Sequence, residues 1–283
     1  MLTSKTKIIC IIGNPIEHSM SVAMHNAAIQ KLGIDYIYIA FNVFPKDLPN
    51  AINGFRSLNI KGASVTIPHK ISVMKYLDKI EPMAKNIGAI NTIKNENGIL
   101  IGRNTDGEGF LKSIKESGYN LKNKKIVLFG AGGAARACAF YLAKEVGEIT
   151  IINRSNNRSN DLISKLEANY EISIKSINLS KSEDIRKEIE DSDMLVNTTP
   201  VGMYPNINES LIKQSWLHPN LFVVDIIYSP IQTKLLQQAS SIGCKVLSGV
   251  DMLVNQGIIA FKWWTGFSPD KKLMKKVVLD ELK

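Results

Sequence analysis

The chain has 283 residues, 45% of them hydrophobic and 22% charged, with a formal net charge of +9 at pH 7. That balance belongs to a globular protein long enough for two modest domains, and it excludes a disordered chain. The lysines are spread along the whole chain, with no long basic run and no basic segment interleaved with aromatics. Such a surface argues against a nucleic-acid partner and mildly attracts small anions. No apolar run approaches the length needed to cross a bilayer, so no membrane partner is expected. The run Ile8–Ile12 is too short for a signal-peptide core and leads into Gly13-Asn14-Pro15. Cys10, Cys138 and Cys244 are odd in number and lie in apolar segments, as buried thiols of a reducing compartment do; a cytoplasmic location is expected.

In chain order, the first strands are predicted at 7–12, 36–41, 62–67, 89–93 and 99–102, with helical patterns at 21–32, 47–58 and 70–77. Polar clusters punctuate this series. Gly13–Ser21 follows the first strand and Ser64–Lys70 lies at the third. Gly88–Thr92 falls at the next, and Asn104-Thr105-Asp106-Gly107 opens a connecting helix region that runs to Ser117. Clusters at the carboxyl ends of strands are where open α/β sheets bind ligands. His18, His25 and His69 do not have metal-ligand spacing, and no metal is expected.

From Lys124 to Val246, strand runs at 125–129, 149–152, 172–177, 193–197, 221–226 and 244–247 alternate with helical patterns. That alternation implies a mostly parallel sheet covered on both faces. The run Ile126–Phe129 ends in Gly130-Ala131-Gly132-Gly133-Ala134-Ala135, the G-x-G-x-x-A form of the dinucleotide fingerprint. A helical pattern from Arg136 to Lys144 and the strand Ile149–Ile152 complete the βαβ order. Gly130 allows the tight turn, Gly132 admits a pyrophosphate to the backbone, and Ala135 packs helix on strand.

The end of the second strand then selects the cofactor. An NAD site places Asp or Glu there for the ribose 2′-hydroxyl. This chain instead has Asn153-Arg154-Ser155-Asn156-Asn157-Arg158, holding two of its six arginines. Guanidinium forks grip a phosphate, so the pair predicts NADP over NAD. After Gly249 two further helices are predicted, with Trp263, Trp264 and Phe267 packing as core. The fold class is thus α/β, with two α/β domains and a ligand expected in the cleft between them.

Taken together, these segments resemble the shikimate dehydrogenase family, NADP-dependent enzymes of aromatic amino-acid (chorismate) biosynthesis. Eight segments match in order along nearly the whole chain. They are Ser19-x-Ser21, Val65–Lys70, Gly88–Thr92, Asn104–Gly107, Gly130–Ala135, Asn153–Arg158, Asn197–Met203 and Gly249–Gln256. The resemblance implies reversible reduction of 3-dehydroshikimate to shikimate by NADPH. It implies an N-terminal substrate domain, residues 1–104 completed by helices in 250–283, and a Rossmann-like NADP-binding domain at 105–249.

Lys70 matches the family's catalytic lysine and Asp106 its carboxylate partner. A protonated Lys70 would donate the proton that the developing alkoxide needs, or stabilise that oxyanion. Ser19 and Ser21 match the substrate-carboxylate binders, although either serine would also serve as a helix N-cap. Thr66, Asn91, Tyr228 and Gln256 match the hydroxyl-binding set. Gly130, Ala131, Gly132, Gly133, Ala134, Asn153, Arg154 and Arg158 match the cofactor's phosphate and ribose sites. Thr198, Thr199, Met203, Gly249 and Met252 match its nicotinamide end, with Gly249 admitting the nicotinamide to the backbone and Met252 equally suited to core packing. One departure is Ser64, where the family usually carries Asn; the shorter side chain offers no amide. Two alternatives stand beside the main reading: a quinate/shikimate dehydrogenase using NAD(P), and a catalytically silent NADP-binding regulator. Either a monomer or a homodimer is compatible with the sequence.

Overall fold

In the computed structural model, which describes residues 2–283, the chain divides into two units. The first runs to Gly109 and is rejoined by Val254–Glu281; the second is Phe110–Leu253. The division falls a few residues beyond the expected 104/105 boundary. Gly109 packs against the backbone of Gln256, where an added Cβ would lie 2.6 Å from the Gln256 nitrogen. Asp106 therefore belongs to the same unit as Lys70.

The first unit contains β1 (Lys7–Gly13), α1 (Ser21–Leu32), β2 (Tyr36–Asn42), α2 (Leu48–Ser57) and β3 (Gly62–Val65). It continues with β4 (Lys79–Ile80), α3 (Pro82–Ile87), β5 (Thr92–Glu96), β6 (Ile99–Arg103) and the start of α4 (Asp106–Glu116). The sheet order is β2-β1-β3-β5-β6-β4. Strands β1, β2 and β3 are parallel, whereas β5 pairs antiparallel with both β3 and β6. The β5–β6 turn is Asn97-Gly98, both at positive φ (55° and 91°), as a tight hairpin requires. Residues 89–91, expected as strand, instead lead into β5 after the left-handed Gly88 that ends α3. The helix expected at 70–77 is a short 3-10 turn, Ser72–Tyr76.

The second unit contains β7 (Lys125–Phe129), α5 (Gly133–Leu142), β8 (Glu148–Asn153), α6 (Asn156–Glu167), β9 (Ser173–Asn178) and α7 (Ser182–Glu190). It ends with β10 (Met194–Asn197), β11 (Phe222–Asp225), α8 (Lys234–Ser241) and β12 (Lys245–Leu247). All six strands are parallel, in the order β12-β11-β10-β7-β8-β9. The central strands are buried on both faces, which is why they read as unbroken apolar runs.

Two helices close the chain: α9 (Val250–Thr265) and α10 (Lys271–Glu281). Trp264 is buried and donates its indole N–H to the Ile93 carbonyl at 2.8 Å. Its ring lies over Gly62, where a Cβ would overlap it, so β3 needs glycine at that point. Trp263 is half-buried and Phe267 is exposed, so of the three aromatics expected in the core only Trp264 is buried there. Cys10, Cys138 and Cys244 are buried, and none of them forms a disulfide. No helix among the described residues is long and apolar enough to cross a membrane.

Candidate active site

Lys70 lies in the turn after β3, its backbone carbonyl accepting from the Ile90 N–H at 2.7 Å. Asp106 is the first residue of α4, where a carboxylate is favoured by the helix dipole. The turn into that helix is built by Asn104, whose Oδ1 accepts from the Asp106 N–H at 3.1 Å while its amide donates to the Ala89 carbonyl at 3.0 Å. These anchors bring Lys70 Nζ to 2.5 Å from Asp106 Oδ2, with the two side chains only 16% and 7% exposed. One ammonium proton serves the carboxylate, and two are left for a substrate oxygen.

Asn91 steadies the other carboxylate oxygen, its amide donating to Asp106 Oδ1 at 2.8 Å and to Thr105 Oγ1 at 2.9 Å. Its own oxygen accepts from the Thr105 N–H at 2.7 Å and from Thr92 Oγ1 at 2.9 Å. A substrate hydroxyl would reach Asn91 in exchange for one of those bonds. Gln256 Oε1 stands 3.4 Å from both Asn91 Nδ2 and Thr105 Oγ1, so the polar group reaches onto α9.

Ser19 and Ser21 flank the start of α1. The N-cap position is Met20, and no side chain caps the helix; the contact from Ser21 N–H to Ser19 Oγ is a long 3.4 Å. The capping alternative is thus set aside, and the hydroxyls are not committed to the helix end. Thr66 is half-buried in the turn after β3, and Ser64 accepts from the Tyr38 hydroxyl at 2.8 Å.

In the second unit, Gly130 adopts φ 113°, and a Cβ there would lie 2.6 Å from Thr198 Oγ1. Gly132 is exposed, and a Cβ on it would meet nothing within 4 Å, so that stretch of backbone lies open to a phosphate. Ala131 is buried, and Gly133 and Ala134 form the first turn of α5. Arg154 and Arg158 are exposed at the end of β8 and in the first turn of α6. Asn153 donates to the Ser155 carbonyl at 2.9 Å and so shapes the turn between them. This loop fits a 2′-phosphorylated dinucleotide: open backbone at the helix start and two guanidinium groups, with no acid from 153 to 158.

Three family models match the chain: "Shikimate dehydrogenase substrate binding domain" over residues 11–93, "Shikimate / quinate 5-dehydrogenase" over 112–238, and "Shikimate 5'-dehydrogenase C-terminal domain" over 249–279. The chain is 43% identical over 288 residues to the shikimate dehydrogenase (NADP(+)) of Methanocaldococcus jannaschii, covering 100% of this chain and 99% of that one. The chain belongs to the shikimate dehydrogenase family. A crystal structure of shikimate dehydrogenase in complex with NADP+ superposes with a TM-score of 0.92 at 43% identity, covering 100% of this chain and 98% of the other. The shikimate 5-dehydrogenase of Thermus thermophilus, in complex with NADP(H) and shikimate, gives 0.86 at 33% identity, covering 98% of this chain and 100% of that one.

Of the residues expected from the shikimate dehydrogenase pattern, the structure brings Lys70, Asp106, Asn91 and Gln256 into one hydrogen-bonded group. Tyr228 lies in the second unit after β11, half-buried, and burial raises its phenol pKa. Thr198 donates to the Phe129 carbonyl at 2.5 Å, and Thr199 donates to Asn197 Oδ1 through both its N–H and hydroxyl. Met203 is 39% exposed, whereas Met252 is buried on α9. Gly249 has a cause inside the protein: a Cβ there would overlap the Ile226 carbonyl oxygen, so a backbone crossing requires glycine whether or not a nicotinamide comes near. Thr92, Asn104 and Thr105 were missed as site residues, although all three stand in the quoted polar clusters.

Asp225 was missed as well. Fully buried at the end of β11, it accepts from Asn197 Nδ2 at 3.1 Å, the Ile227 N–H at 3.0 Å and Thr233 Oγ1 at 2.8 Å. Thr233 in turn caps α8. Burial pushes the Asp225 carboxyl from 3.8 to about 6, against the pull of those three hydrogen bonds. The native state therefore binds the proton more tightly than the unfolded chain. Stability from this group is complete below pH 3.8 and is lost as pH rises through about 6. In urea unfolding, Asp225→Asn should gain on wild type by about 2 kcal/mol between pH 4 and pH 7, with no further change above that. A stability difference that does not vary with pH would contradict this.

Proposed function

We infer that this chain is an NADP-dependent oxidoreductase, a shikimate dehydrogenase that interconverts shikimate and 3-dehydroshikimate. One observation carries the site assignment: the half-buried Lys70 is held by Asp106 with two ammonium protons left over. When bound, NADPH supplies the hydride. Lys70 gives its proton to the ketone oxygen that becomes the hydroxyl, and stabilises the negative charge on that oxygen while the C–H bond forms. In the reverse direction Lys70 takes the hydroxyl proton back. Asp106 fixes the ammonium and accepts from a neighbouring ring hydroxyl; Asn91 holds Asp106 in that orientation.

Ser19 and Ser21 donate to the substrate carboxylate, while Thr66, Gln256 and Tyr228 bond the remaining ring hydroxyls. Arg154 and Arg158 take the 2′-phosphate, and backbone N–H groups at the start of α5 take the pyrophosphate. The test is a matrix of initial rates, shikimate or quinate with NADP+ or NAD+, followed by absorbance of the reduced nicotinamide. Turnover dominated by shikimate with NADP+ is the expected result. Preference for quinate or NAD+ would favour the dual-substrate reading, and no turnover with any pair would favour the silent regulator.

A further inference from the structure

Arg136, on α5, is not used by the chemistry proposed above. It stands in the first turn of that helix, where the dipole disfavours a cation, and it is only 5% exposed. Its Nη2 donates to Asp161 Oδ2 on α6 at 2.5 Å, while its buried Nε has no hydrogen-bond partner among the described residues. Apolar packing would join the two helices as well, because the cost of burying a guanidinium largely cancels the attraction of its ion pair. What Arg136 adds over a leucine is charge, and the charge it meets is Asp161.

Asp161 is the first acid after β8, and it follows Arg158 by three residues on α6. Side chains three apart share a helix face, so a carboxylate left to itself here is within reach of the Arg158 guanidinium. Asp161 instead pairs with Arg136 and, at 3.6 Å, with Lys165. Burial would raise its carboxyl pKa, but these two cations hold it below the usual value, so the group is ionised at neutral pH.

We propose that Arg136 is a positioning residue for cofactor selection: by holding Asp161 it leaves the Arg158 fork open to the 2′-phosphate and offsets a negative charge near it. The proposal rests on the reading of Arg158 as a 2′-phosphate binder. A released Asp161 acts against NADP in two ways. Paired with Arg158, it occupies the N–H groups that a phosphate oxygen needs. Left without a partner, it repels the phosphate across about one helical turn. Neither effect bears on NAD, which has no phosphate on that ribose.

Arg136→Met keeps an unbranched side chain and removes the charge. It should raise the KM for NADP+ about fivefold, with kcat and the KM for NAD+ within about twofold of wild type. Added salt should shrink that rise. Arg136→Met/Asp161→Asn should return the KM for NADP+ to within about twofold of wild type, since the amide carries no charge. An unchanged KM for NADP+ in Arg136→Met would overturn the proposal. So would a rise shared by NAD+, which would assign Arg136 to the pyrophosphate or to the fold, or a rise that Asp161→Asn leaves in place. If Arg136→Met does not fold, Lys165→Met at its half-exposed position replaces it. The ratio of the KM for NADP+ to that for NAD+ should then rise about twofold, and an unchanged ratio would overturn the proposal. Arg158→Ala with no effect on the KM for NADP+ would overturn both the 2′-phosphate reading of Arg158 and this inference.

Discussion

Lys70→Met is expected to lower kcat for shikimate oxidation by about 10³-fold while leaving the KM for NADP+ near its wild-type value. Methionine fills most of the volume of the lysine stem and removes the ammonium, so the developing charge on the substrate oxygen loses both its proton source and its counter-charge. The change also strands Asp106, whose side chain is 7% exposed and whose Oδ2 faces Lys70. Breaking such a pair costs about 3 kcal/mol of stability, which could be mistaken for a catalytic effect. The double variant Lys70→Met/Asp106→Asn separates the two, because neutralising the stranded carboxylate should recover much of the stability and none of the rate. A kcat within about tenfold of wild type for Lys70→Met would remove Lys70 from the proposed chemistry.

The second large effect belongs to the cofactor. Arg154→Ala/Arg158→Ala should raise the KM for NADP+ by about 10²- to 10⁴-fold, since a hydrogen bond to a charged group contributes about 1.5–3 kcal/mol and two such groups are removed. The KM for NAD+, which has no 2′-phosphate, should stay within about threefold of wild type. Both side chains are exposed, and the bond from Asn178 to the Arg154 backbone carbonyl at 3.3 Å does not depend on them, so thermal stability should hardly move. Equal loss with both cofactors would place recognition of the 2′-phosphate elsewhere.

Legibility differed between the two units for a physical reason. Each strand of the second unit lies within a residue or so of its expected span; the central strands β7, β10 and β11 are buried on both faces and leave continuous apolar runs between turn signals. In the first unit, the apolar stretch at 89–93 resembles such a run, yet Ala89, Ile90 and Asn91 belong to the approach that brings Asn91 to Asp106. The informative signal there was Asn97-Gly98, a hairpin dipeptide, and it points to the antiparallel pairing of β5 with β6.

Among candidate site residues, Lys70, Asp106 and Asn91 were legible because they stand in polar clusters at strand ends. Asp225 carried a signal that went unread: a lone acid closing the apolar run Phe222–Val224. Gly249 is the converse case, a glycine read as an opening for a ligand and required by the protein's own backbone.

The most direct measurement uses shikimate labelled with deuterium on the carbinol carbon that becomes the ketone. The purified chain is given labelled shikimate and NADP+, and the reduced cofactor is examined by mass spectrometry. Direct transfer predicts one deuterium in each molecule of reduced cofactor formed and none released to water. Reduced cofactor without the label, or no shikimate-dependent reduction at all, would contradict the account.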